Sequence, residues 1–285
     1  MNISEVIADA KSKRQPDIVD QMLTQGGYAI IGADRDSGKT NEALHLLCQF
    51  ARKDGGNFHG LQVRPCPALY INFEDNQRKI GSRLEIVKAQ YPDMGIEPEL
   101  LFETGLYLDT TEGVQRFKSI LSDYHKADYN VGVVIFDSLK FTCAGNYLQP
   151  NKAMEWVKSV KQLAKSLNMA FIFLHHTRKL VYYQGQSENL FNADRLKGAG
   201  DLIDHSDTTF LYAVDNRVVA VDRSQKRERQ KFDTLVPIRH RNAVVDLKNY
   251  PLDLVFDRKR LCWNGQHWQV TGNEVTIVRK EIDNE

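Results

Sequence analysis

The sequence predicts an α/β protein built on a doubly wound, mostly parallel sheet with an antiparallel extension at its C-terminal end. Apolar runs typical of buried strands alternate with helical spacings from residue 28 to residue 176. Polar residues follow several of these runs, at the carboxyl ends of the predicted strands, where parallel sheets place their ligand sites. Shorter strand patterns then fill the chain beyond residue 206 and indicate the antiparallel part.

The first predicted unit is a strand over Tyr28–Ile31 followed by a helix that runs from Asn41 to about Lys53. Gly55 and Gly56 end this helix. Later apolar runs and helical spacings alternate in the same way. The predicted strands cover 68–73, 101–102, 131–136 and 170–174, and the predicted helices cover 76–90, 111–124 and 153–167.

The chain after His176 predicts a different layout. A short helix is expected over 198–206, followed by strands over 208–214, 218–221, 234–238 and 252–256. Asn264 and Gly265 predict a tight turn that joins a last hairpin. The charged run over 226–231 is expected at a solvated hairpin tip.

The first 27 residues are predicted to form an N-terminal arm, and residues 28–285 a single domain. One helix is expected from Ser4 to about Lys13. Pro16, followed by an apolar pattern over 17–23, predicts a second helix. The arm has two open roles, packing on a neighbouring subunit or capping its own core.

Composition narrows the class of protein. The 285 residues carry a net charge of +1, so any nucleic-acid site must be local. No apolar run is long enough to span a membrane, and no signal-peptide pattern opens the chain, so a cytoplasmic protein is expected. The cysteines Cys48, Cys66, Cys143 and Cys262 form no Cys-x-x-Cys pair and are expected to be free thiols.

A phosphate-binding loop is predicted between the first strand and its helix. The loop residues are Ala33, Asp34, Arg35, Asp36, Ser37, Gly38, Lys39 and Thr40. Gly38 lets backbone N–H groups turn toward an anion, Lys39 is expected to reach the β- and γ-phosphates of a nucleotide, and the Thr40 hydroxyl is expected to bind Mg²⁺. Ala33 stands where the usual first glycine would be. The alternative is a chance Gly-Lys-Thr at a helix start.

Two carboxylates end predicted strands and are candidates for metal and base chemistry. Asp137 is predicted to be the carboxylate on the Mg²⁺ side, although an aspartate that caps a turn is the alternative. Glu74 is predicted to align and polarise the attacking water. Its alternatives are a helix-start role, or replacement by the neighbouring Asp75.

Two histidines end the strand near residue 174. His176 is predicted to contact the γ-phosphate and to report its loss to the following loop, while a structural role is the alternative. His175 points to the opposite face of the strand and is expected to be structural.

These motifs, in this order, resemble the RecA-like ATPases and in particular the RepA family of hexameric plasmid replicative helicases. The matching segments are 33–40, Tyr-Ile-Asn-Phe-Glu-Asp over 70–75, Val-Val-Ile-Phe-Asp-Ser over 133–138, Phe-Leu-His-His-Thr-Arg-Lys over 173–179, and Lys-Gly-Ala-Gly-Asp-Leu-Ile-Asp over 197–204. The resemblance covers about residues 28–245 and implies a RecA-like ATPase domain that uses ATP and Mg²⁺.

The resemblance also implies rings, usually homo-hexamers, with ATP held between subunits. A basic pair from the neighbouring subunit completes the site in that family, and Arg239 and Arg241 match it here. An ordinary basic strand end is the alternative for these two arginines.

Single-stranded DNA is the partner that the resemblance implies, held by two loops in the ring channel. The loops correspond to about 140–152 and 178–197, whose candidate contacts are Lys140, Lys152, Arg178, Lys179, Arg195 and Lys197. Cations with interspersed tyrosines suit a strand's phosphates and bases, and they also suit an ordinary exposed loop.

Three functions follow from these patterns. The first is an ATP-hydrolysing ring motor on single-stranded DNA, such as the replicative helicase of a plasmid, phage or mobile element. The second is a recombination mediator of the same fold. The third is a nucleotide-dependent oligomeric module that controls a partner protein. A replication or recombination protein is a possible partner for any of them.

Overall fold

The computed structural model describes residues 2–5, 17–34, 37–178, 182–183, 186–187, 196, 200–220, 227–240, 252–257, 262–271 and 274–279. Their architecture is α/β, as the sequence predicts. A ten-stranded sheet forms the centre, with helices on both faces, and a four-stranded sheet lies beside it.

The central sheet has a parallel half and an antiparallel half. The parallel strands, in spatial order, are β12 (Thr208–Ala220), β3 (Tyr28–Ala33), β9 (Ala170–His176), β8 (Val133–Asp137), β6 (Ala68–Asn72) and β7 (Glu99–Phe102). The antiparallel strands continue beyond β12 as β13 (Arg227–His240), β14 (Leu252–Asp257), β15 (Cys262–Thr271) and β16 (Glu274–Arg279). A separate two-stranded hairpin joins β10 (Tyr182–Tyr183) and β11 (Gln186–Ser187).

Helices cover both faces of the parallel half because its strands are apolar on both sides. Their bounds are α1 (Lys39–Ala51), α2 (Gln77–Lys88), α3 (Thr111–Lys126), α4 (Pro150–Leu167) and α5 (Gly200–Asp204). Side chains of α1 and α2 pack into one hydrophobic cluster, and side chains of α3, α4 and α5 pack into another. Alternate residues of β3 supply the two clusters, Ile31 one and Ile30 the other, which confirms the doubly wound arrangement.

The predicted helix over 17–23 is wrong. This segment forms β1 (Asp17–Val19) and β2 (Leu23–Thr24), with a reversal at Gln21, whose φ is 59°. The four-stranded sheet pairs them with β4 (Gly56–Phe58) and β5 (Leu61–Val63), two strands that the sequence did not predict. Ile18 and Leu23 are buried in the core of their own chain. Of the first predicted helix, residues 6–13 lie outside the described residues.

The chain beyond residue 206 also differs from expectation. The predicted strands over 208–214 and 218–221, expected in the antiparallel part, belong to one strand, β12, as far as Ala220, and this strand pairs in parallel with β3. The turn predicted at Asn264 and Gly265 is wrong, since both residues lie within β15 and pair with β14. Thr271 pairs with Glu274 instead, so the chain reverses there. Of the charged run, residues 227–231 lie in β13 and Lys226 lies outside the described residues.

Within the described residues, no helix is long and apolar enough to cross a membrane.

Candidate nucleotide site

The predicted phosphate loop lies between the carboxyl end of β3 and the start of α1. Gly38 precedes the helix with φ 91° and ψ 8°, a left-handed conformation that glycine adopts at little cost. Its carbonyl accepts the first helical hydrogen bond, from the Glu42 N–H at 3.0 Å. The backbone N–H groups that precede Glu42 have no partner within the helix. They lie at the edge of the sheet, where an anion can accept hydrogen bonds from them. Arg35 and Asp36 lie outside the described residues.

Asp137 ends β8 and meets the loop. The Thr40 hydroxyl donates to Asp137 Oδ2 at 2.7 Å, and Lys39 Nζ lies 3.7 Å from Asp137 Oδ1. The side chains of Lys39 and Asp137 are only 7 % and 3 % exposed. The sequence placed these residues at one sheet edge, and the structure brings them into contact.

The donor set fits Mg²⁺ bound with a nucleotide. Asp137 Oδ1 and Ser37 Oγ are buried and have no hydrogen-bond partner among the described residues. Buried polar atoms are nearly always paired, so unpaired ones beside the loop indicate room for a ligand. Hydroxyl and carboxylate oxygens are the ligand types that Mg²⁺ takes in phosphate sites. Thr40 and Asp137 are the residues that would hold it.

Glu74 follows β6 and faces two polar partners. The Ser138 hydroxyl donates to Glu74 Oε1 at 2.5 Å, and His176 Nε2 lies 3.5 Å from the same oxygen. The contact with His176 and the Ser138 hydrogen bond outweigh partial burial and lower the pKa of Glu74 to about 2. Glu74 is therefore ionised throughout the neutral range.

Asp75, the alternative to Glu74, is engaged elsewhere. Its carboxylate accepts from Lys79 Nζ at 2.5 Å and from Arg83 Nη1 at 2.9 Å, both on α2. These ion pairs hold Asp75 against the helix, whereas Glu74 contacts Ser138 and His176. The geometry therefore favours Glu74 over Asp75 as the carboxylate that would orient the attacking water molecule.

The end of β9 carries both histidines and contacts the loop. The Thr177 N–H donates to Ala33 O at 3.1 Å, and the Thr177 hydroxyl donates to Asp34. His175 is buried and meets the Tyr147 ring edge-on, with ring centroids 5.6 Å apart. The burial of His175 agrees with the structural role expected of it.

Tyr70 is a site residue that the sequence did not reveal. Its hydroxyl donates to Asp137 Oδ2 at 2.7 Å, and its side chain is fully buried. A tyrosine inside an apolar strand pattern looks like an ordinary core residue. Only the register of β6 against β8 brings its hydroxyl to the carboxylate.

The candidate DNA contacts fall in different places. Lys140 is exposed in a short 3₁₀ helix, Leu139–Thr142, with Nζ 5.2 Å from the centre of the Phe141 ring. Lys152 lies in the first turn of α4 rather than in a loop, and its Nζ is 2.7 Å from Glu155 Oε2. Arg178 is half-buried directly after Thr177.

The remaining candidates are placed only in part. Arg239 lies in β13, where its backbone pairs with Thr209. The other candidates lie outside the described residues, namely Lys179, Arg195, Lys197 and Arg241.

A strand-edge phosphate loop, a Thr–Asp pair and a doubly wound sheet define a P-loop ATPase with a RecA-like fold. More particularly, the chain belongs to the AAA domain family, whose model matches residues 4–180. No curated protein matches the sequence at a significant level.

Solved structures share the fold at low sequence identity. One of them, titled as an ATPase domain, superposes with a TM-score of 0.59 at 15 % identity, covering 92 % of this chain and 96 % of that one. A KaiC-like protein, PH0186 from Pyrococcus horikoshii OT3, gives a TM-score of 0.52 at 11 % identity, with coverages of 86 % and 95 %. These similarities extend the RecA-like assignment over most of the chain.

Proposed function

We propose that this protein is a ring-forming motor that hydrolyses ATP and moves on single-stranded DNA. The observation that carries the proposal is the position of Glu74. Ser138 and His176 hold this ionised carboxylate at the same sheet edge as Lys39 and Asp137. A fixed carboxylate beside a phosphate site favours hydrolysis over binding alone.

The side chains at the site have distinct roles in the proposed reaction. Lys39 binds the β- and γ-phosphates, and Glu74 orients a water molecule and accepts its proton as the water oxygen bonds to the γ-phosphorus. The bond from that phosphorus to the β,γ-bridging oxygen breaks. Mg²⁺, when bound, neutralises charge on the phosphate oxygens. His176 keeps Glu74 in place and contacts the departing phosphate.

Contacts between the nucleotide site and the candidate DNA-binding segment 140–152 support coupling of ATP hydrolysis to DNA binding. Tyr147, within that segment, packs on His175, which precedes the proposed phosphate sensor His176. Lys140 is exposed close along the chain from Asp137 and Ser138. A displacement of the strand end after hydrolysis would therefore reach a segment with a cation and an aromatic ring, which suit single-stranded DNA.

The strand register supports a site shared between subunits. Arg239 pairs with Thr209, which in turn pairs with Ile30, three residues before the loop residue Ala33. Arg239 is thus set back from its own phosphate loop, toward the amino end of β3. We assign Arg239 and Arg241 to the phosphates of a neighbouring subunit in a ring, with a hexamer as the expected size.

The motor is tested by steady-state ATP hydrolysis with and without single-stranded DNA, with duplex DNA of the same sequence as the control. We expect single-stranded DNA to raise turnover by about fivefold or more, the size of ordinary coupling between two ligands. Lys140→Ala should lower this stimulation. Lys126→Ala removes another exposed lysine, which is ion-paired to Asp123 on α3, and should leave the stimulation unchanged.

The three functions are distinguished by combining this assay with a measurement of strand displacement. DNA-stimulated turnover with strand displacement supports the motor, and DNA-stimulated turnover without displacement favours the recombination mediator. ATP binding with negligible turnover under all conditions contradicts both and favours the interaction module.

The shared site is tested by mixing two inactive variants. Arg241→Ala is expected to lower turnover and keep ATP binding, and Glu74→Gln is expected to do the same from the other side of the interface. Mixed rings then contain some interfaces in which both residues are native, so partial activity should return. No recovery at any ratio would contradict action of Arg241 in trans.

A further inference from the structure

Tyr70, on the parallel strand β6, contacts Asp137, the carboxylate proposed to bind the metal ion. It lies on β6 with a fully buried side chain, and its hydroxyl donates to Asp137 Oδ2 at 2.7 Å. In the strand register Tyr70 is opposite Ile135, two residues before Asp137. The long phenol spans this offset, which a serine or threonine at the same position is too short to do.

The two oxygens of Asp137 have unequal surroundings. Oδ2 accepts two hydrogen bonds of 2.7 Å, one from Tyr70 and one from Thr40. Oδ1 is buried without a hydrogen-bond partner among the described residues, 3.7 Å from Lys39 Nζ. Side chains of the protein thus fill the acceptor capacity of Oδ2. Oδ1 keeps its capacity to bind a ligand.

We propose that Tyr70 is a positioning residue that fixes the Asp137 carboxylate so that Oδ1 is presented to the cation of a bound metal–nucleotide complex. This inference rests on the Mg²⁺·ATP site of the proposed function. With Oδ2 held by Tyr70, the carboxylate cannot rotate to exchange its oxygens without breaking a buried hydrogen bond. The hydrogen bond from Thr40 also leaves lone pairs of the Thr40 hydroxyl for the same cation.

A tyrosine suits this task because it remains a donor. The phenol carries one O–H, and Asp137 Oδ2 is the acceptor that the structure shows for it. Its ring packs within the hydrophobic cluster on the α1 face, so few rotamers are open to it.

The test is Tyr70→Phe, which keeps the ring and removes only the hydroxyl. Mn²⁺ serves as the probe, because its binding is read directly by electron paramagnetic resonance in the presence of a non-hydrolysable ATP analogue. A hydrogen bond to a charged group is worth enough that Mn²⁺ affinity should fall about tenfold or more. Binding of the analogue without metal should change by less than about twofold, well under the cost of one such bond.

The matched control is Tyr28→Phe. Tyr28 is also fully buried in a parallel strand, and its hydroxyl donates to the carbonyl of Leu202 at 3.1 Å rather than to Asp137. Both variants lose one buried tyrosine hydroxyl, so loss of stability alone would affect them alike. The ratio of analogue affinities with and without Mn²⁺ also cancels any common loss of folded protein.

A tenfold loss of Mn²⁺ affinity in Tyr70→Phe, with wild-type affinity in Tyr28→Phe, supports the assignment. Wild-type Mn²⁺ affinity in Tyr70→Phe overturns it and leaves the proposed ATPase intact. A wild-type protein that binds the analogue but no Mn²⁺ overturns the proposed metal site and this inference together.

Discussion

Two buried carboxylates, Glu42 and Asp137, lie at the start of α1 and have different hydrogen-bond partners. Glu42, in the first turn of α1, is 2.8 Å from His59 Nε2, and the same nitrogen is 3.0 Å from the Tyr212 hydroxyl. Asp137 accepts from Thr40 and Tyr70 through one oxygen and leaves the other buried without a hydrogen bond among the described residues.

This difference is what we expect between a structural carboxylate, Glu42, and a carboxylate proposed to bind a metal ion, Asp137. Burial alone would raise the pKa of Glu42, but the charge of His59 and its hydrogen bond outweigh burial and lower it. Glu42 is therefore satisfied within the chain, where it joins α1 to the β4–β5 turn and to β12. Asp137 retains acceptor capacity, which a buried group keeps only at a cost, and a ligand would use it.

The largest effect is expected from Lys39→Ala, which changes the nucleotide site beside Asp137. Loss of the buried ammonium removes its charge-assisted contact to the phosphates, so ATP affinity should fall about 100-fold or more. Isothermal titration with a non-hydrolysable analogue measures it. Lys88→Ala serves as the control. Lys88 is the last residue of α2 and is paired with Glu97, so this variant should bind the analogue normally. Normal affinity in the Lys39 variant would remove the phosphate-loop assignment.

Glu74→Gln should affect turnover and spare binding. The amide keeps the shape of the side chain but cannot accept a proton from water, so turnover should fall about 100-fold or more. Single-turnover hydrolysis measures the step directly. Glu103→Gln is the control, since Glu103 pairs with Arg116 beyond the end of the neighbouring strand β7. Equal losses in both variants would contradict a special role for Glu74.

His59→Ala should lower the stability of the protein, because it changes the surroundings of Glu42. It removes the ion-pair partner of the buried Glu42 and leaves the Tyr212 hydroxyl bonded to that carboxylate, which should cost about 3 kcal/mol of unfolding free energy. Urea unfolding at neutral pH measures this cost. Lys126→Ala, which breaks an exposed pair with Asp123, should cost less than about 1 kcal/mol.

The same pair predicts a pH dependence. Because the pKa of Glu42 is lowered in the folded state, its stabilisation is complete above the ordinary value of 4.5 and is lost as pH falls through the lowered value. The stability gap between wild type and His59→Ala should therefore narrow in acid. A gap that widens in acid would contradict the ion pair.

Ser138→Ala should give the smallest effect. It removes one of the hydrogen bonds that lower the pKa of Glu74, so the acid limb of the turnover profile should move to higher pH while neutral turnover falls less than about tenfold. Ser206→Ala removes another fully buried serine hydroxyl, which donates to Ile203 O, and should leave the profile unchanged. A wild-type profile for Ser138→Ala would show that Ser138 does not tune Glu74.

Local sequence was sufficient to predict the loop and the parallel strands β3 and β6 to β9, whereas β12 was expected in the antiparallel part and pairs in parallel with β3. Gly38, Lys39 and Thr40 form a contiguous pattern, and the strand-end rule placed Asp137 and Glu74 at the same edge without any knowledge of contacts. The contact between Tyr70 and Asp137 depends on the register of two strands, which one sequence does not contain.

The errors have physical causes as well. Residues 17–23 are apolar at positions that suit one helix or two short strands, and the reversal at Gln21 decides for strands. Asn264 and Gly265 have strong turn propensity, but backbone pairing with β14 overrides it. Lys152 was expected in a loop, whereas Pro150 starts α4 before it.

The most direct test of the contrast between the two carboxylates is the stabilisation that Mg²⁺ and a non-hydrolysable ATP analogue give to three proteins. At saturating ligand, wild type and Glu42→Gln should gain the same amount, about 2.7 kcal/mol at 100 times Kd. Asp137→Asn should lose the part of the gain that depends on Mg²⁺. A full Mg²⁺-dependent gain in Asp137→Asn, or its loss in Glu42→Gln, would contradict the account.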